Sequence, residues 1–214
     1  YGYESTVHAT ADMMTLHVGA VARGAPDKFI VADMPFLTCS KGLGVAMDTV
    51  ERLMQAGAHA VKIEGDSHQL EIIRHIVEAG VPVMGHLGLT PQSIHHLGGH
   101  RVQGKDEVNA AKIVEGARRL EAAGCFSLVL ECVPTALGGC VSQALKIPTI
   151  GIGAGPQTDG QVLVLQDLLG VNPKFKPKFL RQYASGHSVV SDAVNQFHGD
   201  VVAGGFPTLA ESYR

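Results

Sequence analysis

The sequence predicts an α/β protein with a parallel sheet, arranged as a TIM-like barrel. Short apolar runs alternate with segments of helical periodicity along the 214 residues, which is typical of repeated βα units. Four consecutive runs end in charged or titratable residues, which are Asp33, Lys62 with Glu64, His86 and Glu131. A barrel brings the carboxyl ends of its strands together at one rim, whereas an open sheet spreads them along an edge, so these endings favour the barrel.

The first half of the chain alternates helices and strands in a regular order. Apolar residues recur at helical spacing in three segments, and Gly57 and Gly80 are suitable ends for two of the helices. The apolar runs between them are short, as expected for strands buried on both faces. The predicted elements are a helix at 12–22, a strand at 29–33, a helix at 45–55, a strand at 58–65, a helix at 69–79 and a strand at 81–86.

The second half follows a long Gly- and His-rich connection at 87–104, which is a candidate functional loop because such lengths are uncommon in compact domains. The predicted elements are a helix at 106–123, a strand at 126–131, a helix at 134–145, strands at 148–153 and 161–165, and a helix at 188–202 after the loop at 172–178. A complete barrel has eight strands and about 250 residues. We therefore expect one barrel domain over residues 1–214 that lacks roughly the first two strands.

The composition narrows the class of partner. The chain has a net charge of −3 and no clustered Lys/Arg face, which argues against a nucleic-acid surface. No apolar run is long enough to span a bilayer. The four cysteines have no CxxC spacing and lie in or beside apolar runs, which is typical of free thiols in reducing compartments. We expect a small-molecule partner, with no nucleic acid and no membrane. Because the chain starts at Tyr1 rather than Met, its expected location stays open between the cytoplasm and the mitochondrial matrix.

The first three strand ends carry candidate metal and substrate ligands. Asp33 and Glu64 are hard oxygen donors of the type that Mg²⁺ accepts while it keeps several waters. Each could instead cap a turn or pair with a lysine. Lys62 lies inside an otherwise apolar strand, where a charge is costly unless it is paired or used. It could neutralise an anionic substrate, or form an ion pair with Glu64 or Glu131.

The two remaining strand ends carry candidate proton-transfer and hydrogen-bonding groups. His86 could donate a hydrogen bond to a substrate, or be a satisfied structural histidine. Apolar neighbours would raise the pKa of Glu131 and suit it to general-base work. An ion pair between Glu131 and Lys62 is the alternative.

Two other motifs are weaker indications of function. His95, His96 and His100 lie close together in the long loop but match no known metal-ligand spacing. The glycines of 151–155 resemble a phosphate-binding loop. Glycines at a strand end more often allow close backbone packing.

Five short motifs carry a resemblance to a known family. They are Val31-Ala32-Asp33-Met34-Pro35-Phe36, Val61-Lys62-Ile63-Glu64-Gly65, Gly85-His86-Leu87-Gly88-Leu89-Thr90-Pro91-Gln92-Ser93, Leu130-Glu131-Cys132-Val133-Pro134 and Ile150-Gly151-Ile152-Gly153-Ala154-Gly155. Through them the chain resembles the ketopantoate hydroxymethyltransferase (3-methyl-2-oxobutanoate hydroxymethyltransferase) family nearly end to end. The third motif is highly specific.

The resemblance implies a fold and a reaction. The family has a TIM barrel and forms large homo-oligomers, commonly decamers. Its members transfer a one-carbon unit from 5,10-methylenetetrahydrofolate to 3-methyl-2-oxobutanoate with the help of Mg²⁺. The product is ketopantoate (2-dehydropantoate), and the reaction belongs to pantothenate biosynthesis.

The resemblance also assigns roles to residues of this chain. It places Asp33 and Glu64 in the metal site, lets Asp33, Lys62 and His86 contact the 2-oxo acid, and makes Glu131 the catalytic base. In this hypothesis Glu131 removes the C3 proton of the 2-oxo acid, and Mg²⁺ stabilises the resulting enolate as a Lewis acid. Lys62 adds positive charge near the developing oxyanion.

One departure from the family pattern bears on activity. The family carries a Val-Gly-Asp-Ser motif at the end of its second strand, with a metal-binding Asp and a substrate-binding Ser, and this chain begins just after the matching point. We therefore expect a fragment of a longer chain, with weak metal binding and little activity as it stands.

Two other interpretations remain open. One is a Mg-dependent C–C lyase of the isocitrate lyase and phosphoenolpyruvate mutase group, which carries a reactive cysteine on a mobile loop. Cys39 is the only cysteine in a comparable position, and the basic residues that surround the cysteine in that group are missing. The other is a truncated, non-catalytic paralogue that keeps the barrel surface.

Overall fold

A computed structural model describes residues 2–214 of the chain. The chain divides into two compact units, one that ends at Val162 and one that runs from Leu163 to Arg214. The single barrel domain expected from the sequence stays a prediction. Within residues 2–214, none of the helices combines the length and the apolar character that a bilayer crossing needs.

The first unit is built around one six-stranded parallel sheet. Its strands are β1 (Val31–Asp33), β2 (Ala60–Glu64), β3 (Val83–Gly88), β4 (Ser127–Glu131), β5 (Thr149–Ile152) and β6 (Gly160–Gln161). They lie in chain order, each one hydrogen-bonded in parallel to the next. An all-parallel sheet in strict chain order, with helices between its strands, has the architecture of a half-barrel. This confirms the predicted α/β class with parallel βα units.

The helices of the first unit are α1 (Ala11–Gly24), α2 (Leu43–Gln55), α3 (Gln69–Glu78), α4 (Glu107–Ala122) and α5 (Thr135–Ala144). Side-chain caps start two of them, since Thr10 accepts a hydrogen bond from the N–H of Met13 and Asp106 accepts one from the N–H of Asn109. Each helix lies within a few residues of its predicted bounds.

Three of the helices end in the same way before the next strand. Gly57, Gly80 and Gly124 follow α2, α3 and α4 with φ of 109°, 91° and 97°. In each case the N–H after the glycine donates to the carbonyl five residues back, from Ala58 to Leu53 at 3.2 Å, from Val81 to Ile76 at 3.1 Å and from Cys125 to Leu120 at 3.1 Å. This is the Schellman geometry, which a left-handed glycine permits. It turns the chain directly into β2, β3 and β4.

The register of the strands separates the polar side chains from the core. Asp33 lies opposite Lys62, Glu64 opposite His86, and Gly88 opposite Glu131. Since side chains alternate along a strand and paired residues share a face, all the polar strand-end residues lie on one face of the sheet. The other face packs against the helices through Val61, Ile63, Val83, Leu128, Leu130, Leu53, Ile73, Ile76 and Leu120. Full burial stabilises the fold by about 1.5–3 kcal/mol for each such aliphatic side chain.

The predicted strand at 161–165 is wrong in extent. β6 covers only Gly160 and Gln161, and residues Leu165–Leu168 form the short helix α6. Val162, Val164 and Leu165 are exposed, so this apolar run has no sheet face to bury. Apolar character without alternation or burial does not separate a strand from a helical turn.

The second unit contains α6 and α7 (Gly186–Val202). The N–H groups of Tyr183 and Gly186 donate to the carbonyls of Leu168 and Leu169, so the segment before α7 is tied back to α6. No residue of α7 is buried, although the helix carries several valines. The loop predicted at 172–178 is free of helix and strand.

We expect Gly88→Ala to destabilise the first unit more than Gly80→Ala does. Both glycines have a φ near +90°, so alanine costs about 1–2 kcal/mol at either position. A Cβ at Gly80 would meet no atom within 4 Å, whereas a Cβ at Gly88 would lie 2.1 Å from the Glu131 carbonyl oxygen. That overlap adds about 1–3 kcal/mol. Urea unfolding of both variants measures the difference, and equal losses of stability would contradict the packing at the end of β3.

Candidate active site

The structure brings together all five strand-end residues that the sequence singles out. Nζ of Lys62 lies 2.9 Å from Oδ1 of Asp33 and 3.3 Å from Nδ1 of His86. Nδ1 of His86 lies 3.8 Å from Oε1 of Glu64, and Nε2 of the same ring lies 3.2 Å from Oε2 of Glu131. The result is a continuous polar cluster across the carboxyl ends of β1 to β4, which is where βα proteins bind their ligands.

Lys62 is the central cation of the cluster. Its side chain is only 16% exposed. Burial on its own lowers the pKa of the ammonium, but the negative charges of Asp33, Glu64 and Glu131 outweigh burial and raise that pKa above its usual value. Lys62 is therefore a fixed positive charge at physiological pH.

His86 is a neutral imidazole between Lys62 and Glu131. Its side chain is 3% exposed. Burial, reinforced by the nearby charge of Lys62 and partly offset by the backbone of Leu89, holds the pKa of the ring well below its ordinary value. Since an ammonium can only donate, Nδ1 accepts from Lys62, and the proton of the neutral ring is assigned to Nε2. Within residues 2–214, Nε2 makes no hydrogen bond of normal geometry, although Oε2 of Glu131 is close. His86 thus offers a buried donor to the site.

Glu64 is held by a residue that the sequence analysis did not single out. The backbone N–H of Gln92 donates to Oε2 of Glu64 at 3.0 Å, and the side-chain amide of Gln92 donates to the carbonyl of Met34 at 2.7 Å. Burial raises the pKa of the Glu64 carboxyl, partly offset by Lys62. The signal for Gln92 was present in the Thr-Pro-Gln-Ser segment of the third motif.

Glu131 has the properties of a proton acceptor that works near neutral pH. Its side chain is 16% exposed, and burial raises its pKa from 4.5 to about 7, with Lys62 opposing the shift and Glu64 adding to it. A group with a pKa near the working pH is best suited to accept and return protons. The next residue, Cys132, has a φ of 48°, and its backbone is held by hydrogen bonds with Ile152 and Gln103, both of 2.8 Å.

The acidic residues of the cluster have the chemistry of a magnesium site. Magnesium commonly takes one or two protein carboxylates and completes its shell with waters and substrate oxygens. The Asp33 side chain is 50% exposed, and Oε1 of Glu64 makes no hydrogen bond among the described residues. The two carboxylates fit that pattern, although residues 2–214 contain no group of three His, Cys, Asp or Glu side chains placed to hold a metal. The loop histidines 95, 96 and 100 form no such group either.

Two motifs from the sequence have structural explanations. A Cβ at Gly155 would lie 2.5 Å from Thr135, and one at Gly151 would lie 2.5 Å from Thr158, so these glycines allow close packing around β5.

Burial raises the pKa of Cys39 to about 11, slightly offset by a hydrogen bond with Thr38. Cys39 is therefore a protonated and weakly nucleophilic thiol at neutral pH.

The cluster combines a largely buried lysine, a neutral histidine and several acids at the carboxyl ends of parallel strands. This arrangement is typical of an α/β enzyme and forms a candidate active site that suits an anion. The sequence model of a family described as ketopantoate hydroxymethyltransferase matches residues 1–209. The chain belongs to this family and is a hydroxymethyltransferase.

Curated relatives carry the same family name. A 3-methyl-2-oxobutanoate hydroxymethyltransferase from Bdellovibrio bacteriovorus is 54% identical over 212 residues, which are 99% of this chain and 81% of the relative. One from Coxiella burnetii is 52% identical over 210 residues, covering 98% of this chain and 79% of the relative. The similarity therefore extends over nearly the whole chain.

Solved structures with low sequence identity share the fold. Phosphoenolpyruvate phosphomutase from Streptomyces platensis subsp. rosaceus aligns with a TM-score of 0.57 at 15% identity, covering 93% of this chain and 70% of the other. A phosphonopyruvate hydrolase aligns with a TM-score of 0.56 at 12% identity, covering 98% and 73%. At these identities the likeness concerns the fold alone.

We expect Glu131→Gln to gain stability relative to the unsubstituted protein as the pH rises. A carboxyl whose pKa is raised from 4.5 to about 7 on folding favours the folded state at low pH and loses that contribution between pH 4.5 and 7. Glutamine does not titrate. Between pH 4.5 and 8 the difference in unfolding free energy should shift toward the variant by at most about 3 kcal/mol.

Urea unfolding of both proteins at pH 5 and pH 8 measures this shift. Glu78→Gln, at an exposed position of α3, controls for the loss of one negative charge. A stability difference that stays constant between the two pH values would contradict the raised pKa of Glu131.

Proposed function

We propose that this enzyme transfers a hydroxymethyl group from 5,10-methylenetetrahydrofolate to 3-methyl-2-oxobutanoate and so forms ketopantoate for pantothenate biosynthesis. The observation that carries the proposal is Glu131, a largely buried carboxyl with a pKa of about 7, beside the neutral His86. Removal of the weakly acidic C3 proton of a 2-oxo acid requires such a base. The names of the relatives supply the substrate class.

Lys62 and His86 suit the recognition of a 2-oxo acid. The substrate is an anion at neutral pH, and Lys62 is a buried cation on the site face of the sheet. The Nε2–H of His86, which lacks a normal hydrogen bond within the described chain, can donate to a substrate oxygen. Negative charge that develops on the keto oxygen when C3 loses its proton would be stabilised by both donors.

Glu131 would accept the C3 proton. The electron pair of the broken C–H bond then forms the new bond between C3 and the methylene carbon of the folate. Over the whole reaction, water supplies the hydroxyl oxygen and tetrahydrofolate leaves. Closeness to Lys62 limits the rise of the pKa of Glu131, so an appreciable fraction of the carboxyl is ionised at neutral pH.

Asp33 and Glu64 would hold the magnesium ion, and the separation of their two carboxylates would be set by β1, β2 and Gln92. When bound, the ion supplies Lewis-acid polarisation of the carboxylate and keto oxygens of the 2-oxo acid.

We further propose that two additional strands complete the barrel and that the enzyme works as a homo-oligomer, with a decamer expected from the family resemblance. A location in the cytoplasm or the mitochondrial matrix stays a prediction.

No observation favours the alternative lyase over the transferase. Enzymes of the isocitrate lyase and phosphoenolpyruvate mutase group need a reactive cysteine. Burial raises the pKa of the Cys39 thiol and so makes it a weak nucleophile. The non-catalytic alternative is not supported either, because the base, the cation and the buried donor all lie in one cluster.

We expect Glu131→Gln to slow the exchange of the C3 proton of 3-methyl-2-oxobutanoate with D₂O by about a hundredfold or more, since general-base catalysis contributes factors of that size. Proton NMR of the substrate follows the exchange without any folate present. Cys39→Ala should keep exchange and transfer near the unsubstituted rates. Unimpaired exchange in Glu131→Gln would refute the base assignment, and loss of exchange in Cys39→Ala would contradict the inert character of that thiol.

We expect Lys62→Met to raise KM for the 2-oxo acid about tenfold or more, because it removes a buried charge-assisted contact worth at least about 1.4 kcal/mol. Lys62 also lowers the pKa of Glu131, so the acidic limb of the exchange-rate profile should move above pH 7. Lys62→Arg, which keeps the charge, should leave that limb near its original position. A limb that does not move in Lys62→Met would contradict the coupling between the two side chains.

A further inference from the structure

We infer that Gln92 is a positioning residue that sets the separation and orientation of the Asp33 and Glu64 carboxylates. The inference rests on the proposed function, because it concerns the two carboxylates proposed to hold the metal. Gln92 does not lie on any strand of the sheet. It belongs to a one-turn 3₁₀ segment, Pro91–Ser93, in the loop that follows β3.

The backbone of Gln92 orients Glu64. Pro91 has no N–H, and the N–H groups of Ser93 and Ile94 donate within the turn to the carbonyls of Thr90 and Pro91. The N–H of Gln92 therefore remains available, and it donates to Oε2 of Glu64 at 3.0 Å. This bond occupies one carboxylate oxygen of Glu64 and leaves Oε1 on the side of His86.

The side chain of Gln92 fixes the end of β1. Its amide nitrogen donates to the Met34 carbonyl at 2.7 Å, and a carbonyl only accepts, so the amide orientation is determined by this partner. The N–H of Met34 donates to the carbonyl of Lys62 at 2.9 Å. Met34 is thus held on both sides, immediately after Asp33.

The loop that carries Gln92 is itself anchored. Leu89 and Ile94 are buried on either side of the turn, and the N–H of Leu89 donates to the carbonyl of Glu131 at 2.8 Å. Gln92 therefore links the end of β1 to the Glu64 side chain. The loop that carries Gln92 is itself hydrogen-bonded to the end of β4. Loss of its amide would free the end of β1 to move relative to Glu64.

We expect Gln92→Met to weaken the binding of Mn²⁺, used as a probe for Mg²⁺, about tenfold or more, as is typical when groups that orient metal ligands are removed. Methionine keeps the length of the side chain but cannot donate to Met34. Gln92→Ala should weaken binding to a similar degree. The dissociation constant is measured on the full-length protein by electron paramagnetic resonance of free Mn²⁺, with no substrate present.

Three further measurements separate positioning from a general structural role. Gln55→Met removes a matched amide donor on α2, where the side-chain amide of Gln55 donates to Oε1 of Glu51 at 2.9 Å, and it should leave the metal affinity unchanged. Urea unfolding without metal should give Gln92→Met and Gln55→Met similar midpoints. The exchange rate of Gln92→Met should recover at saturating Mg²⁺, because Glu131 is untouched.

The outcomes distinguish this inference from the proposed function. If the unsubstituted protein binds no Mn²⁺, the metal assignment fails and the role of Gln92 falls with it. If the unsubstituted protein binds Mn²⁺ and Gln92→Met binds it equally well, the inference alone is overturned. Normal binding in Gln92→Met together with weak binding in Gln92→Ala would show that Gln92 acts by filling space, which also overturns it.

Discussion

The site depends on one ammonium group surrounded by carboxylates. Burying Lys62 in a parallel strand would be costly without partners, and Asp33, Glu64 and Glu131 keep it charged. The influence is mutual, because Lys62 restrains the rise in the pKa of Glu131. His86 lies between the two, in reach of Lys62 through one ring nitrogen and of Glu131 through the other. Its neutral ring therefore bridges Lys62 and the proposed base Glu131.

The backbone next to the proposed base is strained, which is consistent with a site held in place by its surroundings. Cys132 adopts a left-handed φ of 48°, which costs a non-glycine residue about 1 kcal/mol or more. Hydrogen bonds on both sides keep it there, one from its N–H to Ile152 and one to its carbonyl from Gln103.

Much of this architecture could be predicted from the sequence, because residues at the carboxyl ends of parallel strands lie together at one edge of the sheet. Alternating apolar runs and helical segments located the parallel strands, and the polar residues that ended four of them identified the members of the cluster. Pairwise geometry could not be predicted, since the contact of Lys62 with Asp33 rather than Glu64 depends on strand register. Gln92 was missed because its role lies in a turn outside any periodic element, and the run at 161–165 was misassigned because burial, not hydropathy, decides between strand and helix.

The glycine-terminated junctions after α2, α3 and α4 make the two ends of the sheet unequal in their tolerance of insertions. Each junction sets the phase in which the following strand begins, and side chains alternate with a period of two. One extra residue at such a junction would exchange the two faces of the strand. Lys62 and Glu64 on β2, His86 on β3 or Glu131 on β4 would then point among the helices, and aliphatic core residues would point toward the ligand. Connections at the opposite end follow the strand and can vary in length without this penalty, as can the part of the long connection after β3 that lies beyond the anchored Gln92 turn. Among homologous enzymes, loop lengths should therefore vary mainly at the carboxyl ends of the strands, where the site lies. The lengths of the junctions from helix to strand should stay constant.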